Sequence, residues 1–142
     1  MGKFTTLDKA SLTQTWSLEE RSALAHFMEK KEVKTGDPLF VARSKERGLF
    51  IVDSGLVRLN YENLSQQLKP GDSFGELSLI YPTQKLASAD ALQNSELIFL
   101  SFENWTTMRK VAPLVSLKLM ESICAKFAQQ LNEMIPPPKL FS

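Results

Sequence analysis

The sequence predicts a mainly β domain: a closed or nearly closed roll of short strands, with a helix before it and helices after it. Three observations lead there. Between residues 32 and 100, short apolar runs alternate with turns marked by glycine, proline and aspartate, the pattern of an all-β unit. Ahead of them, Ser17-Leu18-Glu19-Glu20 has the form of a capping box, which opens a helix. Behind them, Leu117, Met120, Cys124, Phe127, Leu131 and Met134 recur three and four apart, the period of a helix with one apolar face.

Residues 1–16 form an N-terminal segment whose Leu7, Leu12 and Trp16 can dock a short helix on the body. The helix opened by Ser17 puts Leu18, Leu24, Ala25 and Met28 on one face and is expected to end near Lys30. From Glu32 the pattern changes to strands. Val33 leads into the turn Thr35-Gly36-Asp37, and Pro38-Leu39-Phe40-Val41 begins a second strand. After a loop at Ser44–Arg47, Gly48–Val52 is an apolar run of buried-strand length. Asp53-Ser54-Gly55 turns the chain into Leu56–Tyr61, which pairs across the tip Glu62-Asn63 with Leu64–Leu68. Leu86–Leu92 and Glu96–Leu100 complete the strands. Ser101 is a fitting N-cap for a helix from Phe102 to Val111, and Pro113 suits the first turn of the last helix. Leu119, Ile123, Ala128 and Ile135 widen that helix's apolar stripe, more than covering one flank of a small barrel requires. Pro136-Pro137-Pro138 stops it. The expected division is therefore a segment at 1–16, a domain over 17–135 and a Pro-rich tail at 136–142. Within the domain the roll occupies about 32–100 and the C-terminal helices about 102–135.

At 142 residues the chain has the size of one domain. No apolar run approaches the ~20 residues of a membrane span, so a membrane is not an expected partner. Seventeen basic and 16 acidic residues are interspersed, without the basic face that nucleic-acid binding uses. The single cysteine, Cys124, excludes an internal disulfide and suits a reducing, cytoplasmic setting. It lies on the apolar stripe and reads as a small core residue. One histidine and one cysteine do not supply a metal site. Gly71-Asp72-Ser73-Phe74-Gly75 satisfies G-x-S-x-G, but a nucleophilic serine there needs a downstream histidine as base. His26, the only one, lies far upstream. No enzymatic activity is expected.

The chemistry gathers at Pro70–Tyr81. Pro70-Gly71 marks a turn, and Gly75 permits a positive φ or a close backbone approach. Glu76-Leu77-Ser78-Leu79 reads as one helical turn ahead of Pro82. A helical turn entered through glycine presents unpaired N–H groups to an anion. Gly71-Asp72-x-Phe74-Gly75-Glu76-Leu77-x-Leu79, followed within ten residues by a basic residue and a small-residue strand, resembles the phosphate-binding cassette of the cyclic-nucleotide-binding domain family. The resemblance spans roughly residues 18–135. It implies a jelly-roll of about eight strands. It also implies a site in which cassette amides and an arginine grip a cyclic phosphate while a glutamate accepts the ribose 2′-hydroxyl. Glu76 matches that glutamate and Gly75 the glycine before it. By the same resemblance the candidate ligand contacts are Gly75, Glu76, Leu77, Ser78, Lys85, Leu86 and Ser88.

Two positions depart from the family pattern. Lys85 stands where the arginine is found, and an ammonium is a point charge without the planar fork that holds a phosphate twice. That loss is worth ~1.5–3 kcal/mol, about one to two decades in affinity. Leu86 adds apolar bulk where a small residue stands in the family. The resulting reading is a non-enzymatic regulatory or adaptor domain with a degenerate nucleotide pocket and no required cofactor. It acts through association with another protein or with a second copy, along Leu117, Met120, Cys124, Phe127, Leu131 and Met134. The alternative is a working cyclic AMP or cyclic GMP sensor that signals to a partner protein through its C-terminal helix. Only Pro136–Ser142 come after that helix, so DNA is not expected as a partner.

Overall fold

The strand β3, Gly48–Ser54, lies between two separate apolar cores. In the computed structural model, which describes residues 2–40, 47–60, 64–81 and 88–135, its side chains alternate between them. Leu49 and Ile51 join a helix-side core with Leu24, Trp105, Met108, Leu119 and Ile123. Phe50 and Val52 join a second core inside the roll, with Val57, Leu59, Phe74 and Leu97. Strand β8, Ser95–Ser101, behaves alike, with Ile98 and Leu100 on the helix side and Leu97 on the other. A strand covered on both faces has no solvent side to reserve for polar residues. Hence the unbroken apolar run from Leu49 to Val52.

Among the described residues, eight strands form two four-stranded antiparallel sheets. The first contains β1 (Glu29–Val33), β8, β3 and β6 (Ser73–Phe74), in the order β1-β8-β3-β6. The second contains β2 (Pro38–Phe40), β7 (Ser88–Ala91), β4 (Val57–Asn60) and β5 (Ser65–Leu68), in the order β2-β7-β4-β5. This is the expected β-roll with helices at both ends. The short strand β6 pairs Phe74 with Phe50 and Ser73 with Ile51, which carries the next few residues to the junction between roll and helices.

Helix α1 (Gly2–Lys9) and a 3-10 turn at Ser11–Thr13 make up the N-terminal segment. Leu7, Leu12 and Trp16 are buried, as expected. The Thr6 hydroxyl donates to Asp53 Oδ1 at 2.6 Å, and the Ser11 amide donates to the Gly71 carbonyl at 3.1 Å. The segment thus lies against the end of β3 and the turn before β6. Helix α2 (Leu18–His26) has its capping box complete: the Glu20 amide donates to Ser17 Oγ, and the Ser17 amide to Glu20 Oε1. It ends at His26 rather than near Lys30, because the chain from Glu29 is taken up as β1, paired with β8 from Phe99 to Ser95. Leu18 is exposed, and Met28 is buried beyond the helix end.

Helix α4 (Phe102–Val111) starts on Ser101, whose Oγ accepts the Asn104 amide at 3.0 Å. Helix α5 (Pro113–Met134) has its proline at the first position. Leu119 and Ile123 turn inward, and Met120 and Phe127 pack partly against the same core. Cys124 is exposed, not a core residue. The apolar stripe of α5 is wider than the body it lies on, and Cys124 falls on the uncovered side. The expected loop at 44–46, the hairpin tip at Glu62-Asn63, Lys85, Leu86 and the proline triplet lie outside the described residues.

Candidate functional site

The site is built by two glycines and a short helix. Gly71 adopts φ +96° in a turn closed by the Asp72 amide on the Lys69 carbonyl, with Asp72 Oδ2 accepting the Lys69 amide. After β6 the chain turns again at Gly75, φ +83°. It passes so close to β3 that a Cβ on Gly75 would stand 2.5 Å from the Gly48 carbonyl oxygen. Both conditions that call for glycine are met, and the neighbour is the chain's own backbone. Helix α3 (Leu77–Ile80) comes next as the single expected turn. Its first internal amide bonds are Ser78 to the Gly75 carbonyl and Leu79 to the Glu76 carbonyl, so the amides at 76 and 77 precede them.

The side chains here are largely engaged with one another. Ser78 Oγ accepts the Gly48 amide at 2.9 Å and donates to the Gly75 carbonyl at 2.6 Å, fastening α3 to β3. At the other end of α3 the Arg47 guanidinium donates to the carbonyls of Ser78 and Leu79. It also stacks 3.6 Å above the Phe102 ring. A cation on the last carbonyls of a helix satisfies them and opposes the negative end of the helix dipole. Nothing in the local sequence marked Arg47 for this role.

Glu76 is the centre of the site and only 2% exposed. Its Oε2 accepts the Ser73 hydroxyl at 2.9 Å and the ammonium of Lys126, from α5. Lys126 Nζ also donates to the Ser73 carbonyl at 2.8 Å and lies 3.2 Å from Ser73 Oγ. A lysine has three donors, and three acceptors of β6 and Glu76 surround them. A carboxylate this deeply buried requires such compensation, and removing one partner of a buried pair costs about 3–5 kcal/mol. Sequence reasoning missed Lys126. The available signal was its spacing: it continues the inward row Leu119, Ile123 at three-to-four intervals, where a solvent-seeking residue is out of place.

Of the expected ligand contacts, Gly75, Glu76, Leu77 and Ser78 stand in succession at this corner, with Leu77 exposed and the Ser78 hydroxyl used internally. Ser88 lies on β7 of the second sheet, opposite Asn60. The expected association face is divided: Leu117, Cys124, Leu131 and Met134 are exposed, while Met120 and Phe127 pack inward. Leu114 and Ile135 extend the exposed set. Beside it, α3, α4 and α5 border a groove of about 430 Å³ lined by Leu79, Ile80, Trp105, Arg109, Leu117 and Met120, among others. Among the described residues no helix is long and apolar enough to cross a membrane.

Comparison with known proteins points to the same family as the cassette motif. The family model of the cyclic nucleotide-binding domain matches residues 30–110. A cyclic AMP receptor protein of Thermus thermophilus is 31% identical over 121 residues, covering 81% of this chain and 54% of that protein. The solved catabolite activator protein of Thermus thermophilus superposes with a TM-score of 0.70 at 26% identity, over 87% of this chain and 61% of the other. The N-terminal domain of a transcriptional regulator from Streptomyces coelicolor A3(2) shares the fold, with a TM-score of 0.75 at 23% identity, over 94% of this chain and 98% of that one. The chain thus spans about half the length of the curated relative it matches. These findings overturn the expectation that DNA is not a partner. That exclusion rested on the few residues after the last helix, yet a relative at 26% identity is a catabolite activator protein, and nearly half of the curated relative lies outside the match. From the cassette and the matched residues together, the chain belongs to the cyclic nucleotide-binding domain family.

Proposed function

We propose that the protein is a non-enzymatic regulatory domain whose nucleotide seat is degenerate and whose output is protein association, in a cytoplasmic setting that the lone Cys124 suits. The observation that carries this reading is at Glu76. The carboxylate that would accept a ribose hydroxyl is buried, and its Oε2 is already bonded by Ser73 and Lys126. A ribose hydroxyl competing for that oxygen offers a neutral contact where a charged one already stands, and the neutral contact is the weaker of the two. Lys85 in place of a forked cation, and Leu86 beside it, work in the same direction. For association, the exposed Leu117, Cys124, Leu131 and Met134 provide an apolar face on α5 for a protein partner or a second copy.

The second reading is a working sensor. It is favoured by Gly75 and Glu76, which match the family's cassette in sequence, and by the relative described as a cyclic AMP receptor. Isothermal titration with cyclic AMP and cyclic GMP separates the two. The degenerate seat predicts no saturable heat and no thermal shift at millimolar nucleotide. A ligand at a hundredfold excess over its Kd stabilises a fold by about 2.7 kcal/mol, so a clear shift would establish the sensor instead. Lys85→Arg with Leu86→Ala is expected to raise affinity if those two positions weaken the grip.

A further inference from the structure

We infer that Lys126 is a positioning residue that docks the second half of α5 onto the cassette with no nucleotide required. The inference rests on the degenerate-seat reading and specifies its regulation: the helix orientation is set by the chain's own ammonium.

The contacts of α5 change character along its length. In the first half, Leu119 and Ile123 enter the helix-side core. Ser122 Oγ accepts the Trp16 indole N–H at 2.9 Å, and Lys118 pairs with Glu20 at 3.6 Å. Those polar partners belong to the N-terminal elements. Beyond Ile123, every residue to the end of the helix is exposed except Lys126 and Phe127. Among the described residues, the only hydrogen bonds or ion pairs from an α5 side chain to the cassette are those of Lys126, to Ser73 and Glu76. They span 50 to 53 positions of sequence.

Beside Phe127, which packs partly against the helix-side core, Lys126 thus makes the polar joint between the second half of α5 and the strand that leads into the cassette helix. Its three donors are satisfied from β6 and Glu76, so the joint is complete without a hydroxyl supplied from outside. Glu76, in turn, gains from the docked helix the positive charge that its burial requires. Each half of the contact depends on the other, which makes the docked position the favoured one. It also holds Leu131 outward and fixes how that side of α5 is presented to a partner.

Hydrogen exchange on the full 142-residue chain, without nucleotide, tests this. Lys126→Met is expected to speed exchange of the amides at 124–131 at least tenfold while β3 and β8 keep their protection. Lys126→Arg, which retains charge and donors, is expected to stay near wild type, and Glu76→Gln to shift in the direction of Lys126→Met. Unchanged exchange at 124–131 in Lys126→Met overturns the inference. If that variant loses protection throughout, Lys126→Met with Glu76→Gln removes the unpaired buried charge. Faster exchange confined to α5 in this double variant supports the tether, and wild-type exchange there overturns it. Tight binding of cyclic AMP by the wild-type chain defeats the degenerate seat by a separate measurement, so the two failures are distinguishable.

Discussion

Gly75 and Gly48 meet backbone to backbone, with room for no Cβ between the Gly75 Cα and the Gly48 carbonyl oxygen. The glycine that carries the cassette motif is thus demanded by the fold, whatever the site binds. Gly75→Ala should cost about 1–2 kcal/mol for the left-handed backbone and about 1–3 kcal/mol for the forced displacement of β3. A lowered urea midpoint at unchanged slope is the expected observation. A cost below ~1 kcal/mol would mean that the strand yields freely.

Arg47 holds the carbonyl end of α3 and covers Phe102. Arg47→Met keeps some of the covering bulk but removes both charged hydrogen bonds. The expected loss is about 2 kcal/mol, with faster exchange in α3 than in the sheets. Equal stability of the variant in chemical denaturation would show that water replaces the guanidinium at no cost.

On α5, Leu117 and Leu131 are exposed, so Leu117→Glu and Leu131→Glu should change the stability of the isolated chain by no more than ~0.5 kcal/mol. Their effect is expected on association, weakened at least tenfold in sedimentation equilibrium. The exposed Cys124 thiol should react with a maleimide in the native state and be shielded as association proceeds. A wild-type chain that stays monomeric at high micromolar concentration, with no protein partner affected by the two glutamates, would remove this face from the account.

At the start of α2, the hydrogen bond from the Ser17 amide holds the Glu20 carboxyl below its ordinary value. A depressed folded value means that the capping box stabilises the helix above the carboxyl's ordinary range and loses that contribution as pH falls through the folded value. Protection factors at Ser17 and in the first turn, taken against the intrinsic exchange rate at each pH, should fall in acid. Glu20→Gln should abolish the pH dependence while leaving a cap, since glutamine serves the same position. A Glu20 carboxyl that titrates normally by NMR would contradict this.

Much of the fold was legible because its signals are local. The capping box at Ser17, the N-cap at Ser101 and the proline opening α5 act over three or four residues. The run Gly48–Val52 announced a strand covered on both faces. The end of α2 was misjudged because Glu29–Lys31 already pairs with β8, a partner more than sixty positions away. Cys124 was misassigned for a related reason: an apolar residue on a helix is buried only if some surface lies over it.

By itself, then, the sequence determined a roll with capped helices and a glycine-glutamate corner that resembles a nucleotide-binding cassette. Tertiary structure alone decided what that corner touches: a lysine fifty positions away closes on Glu76, and Arg47 closes on the far end of α3. The physical reason is range. Backbone strain and capping are set by neighbours along the chain, whereas the partner of a buried charge is whichever group packing brings within hydrogen-bond distance.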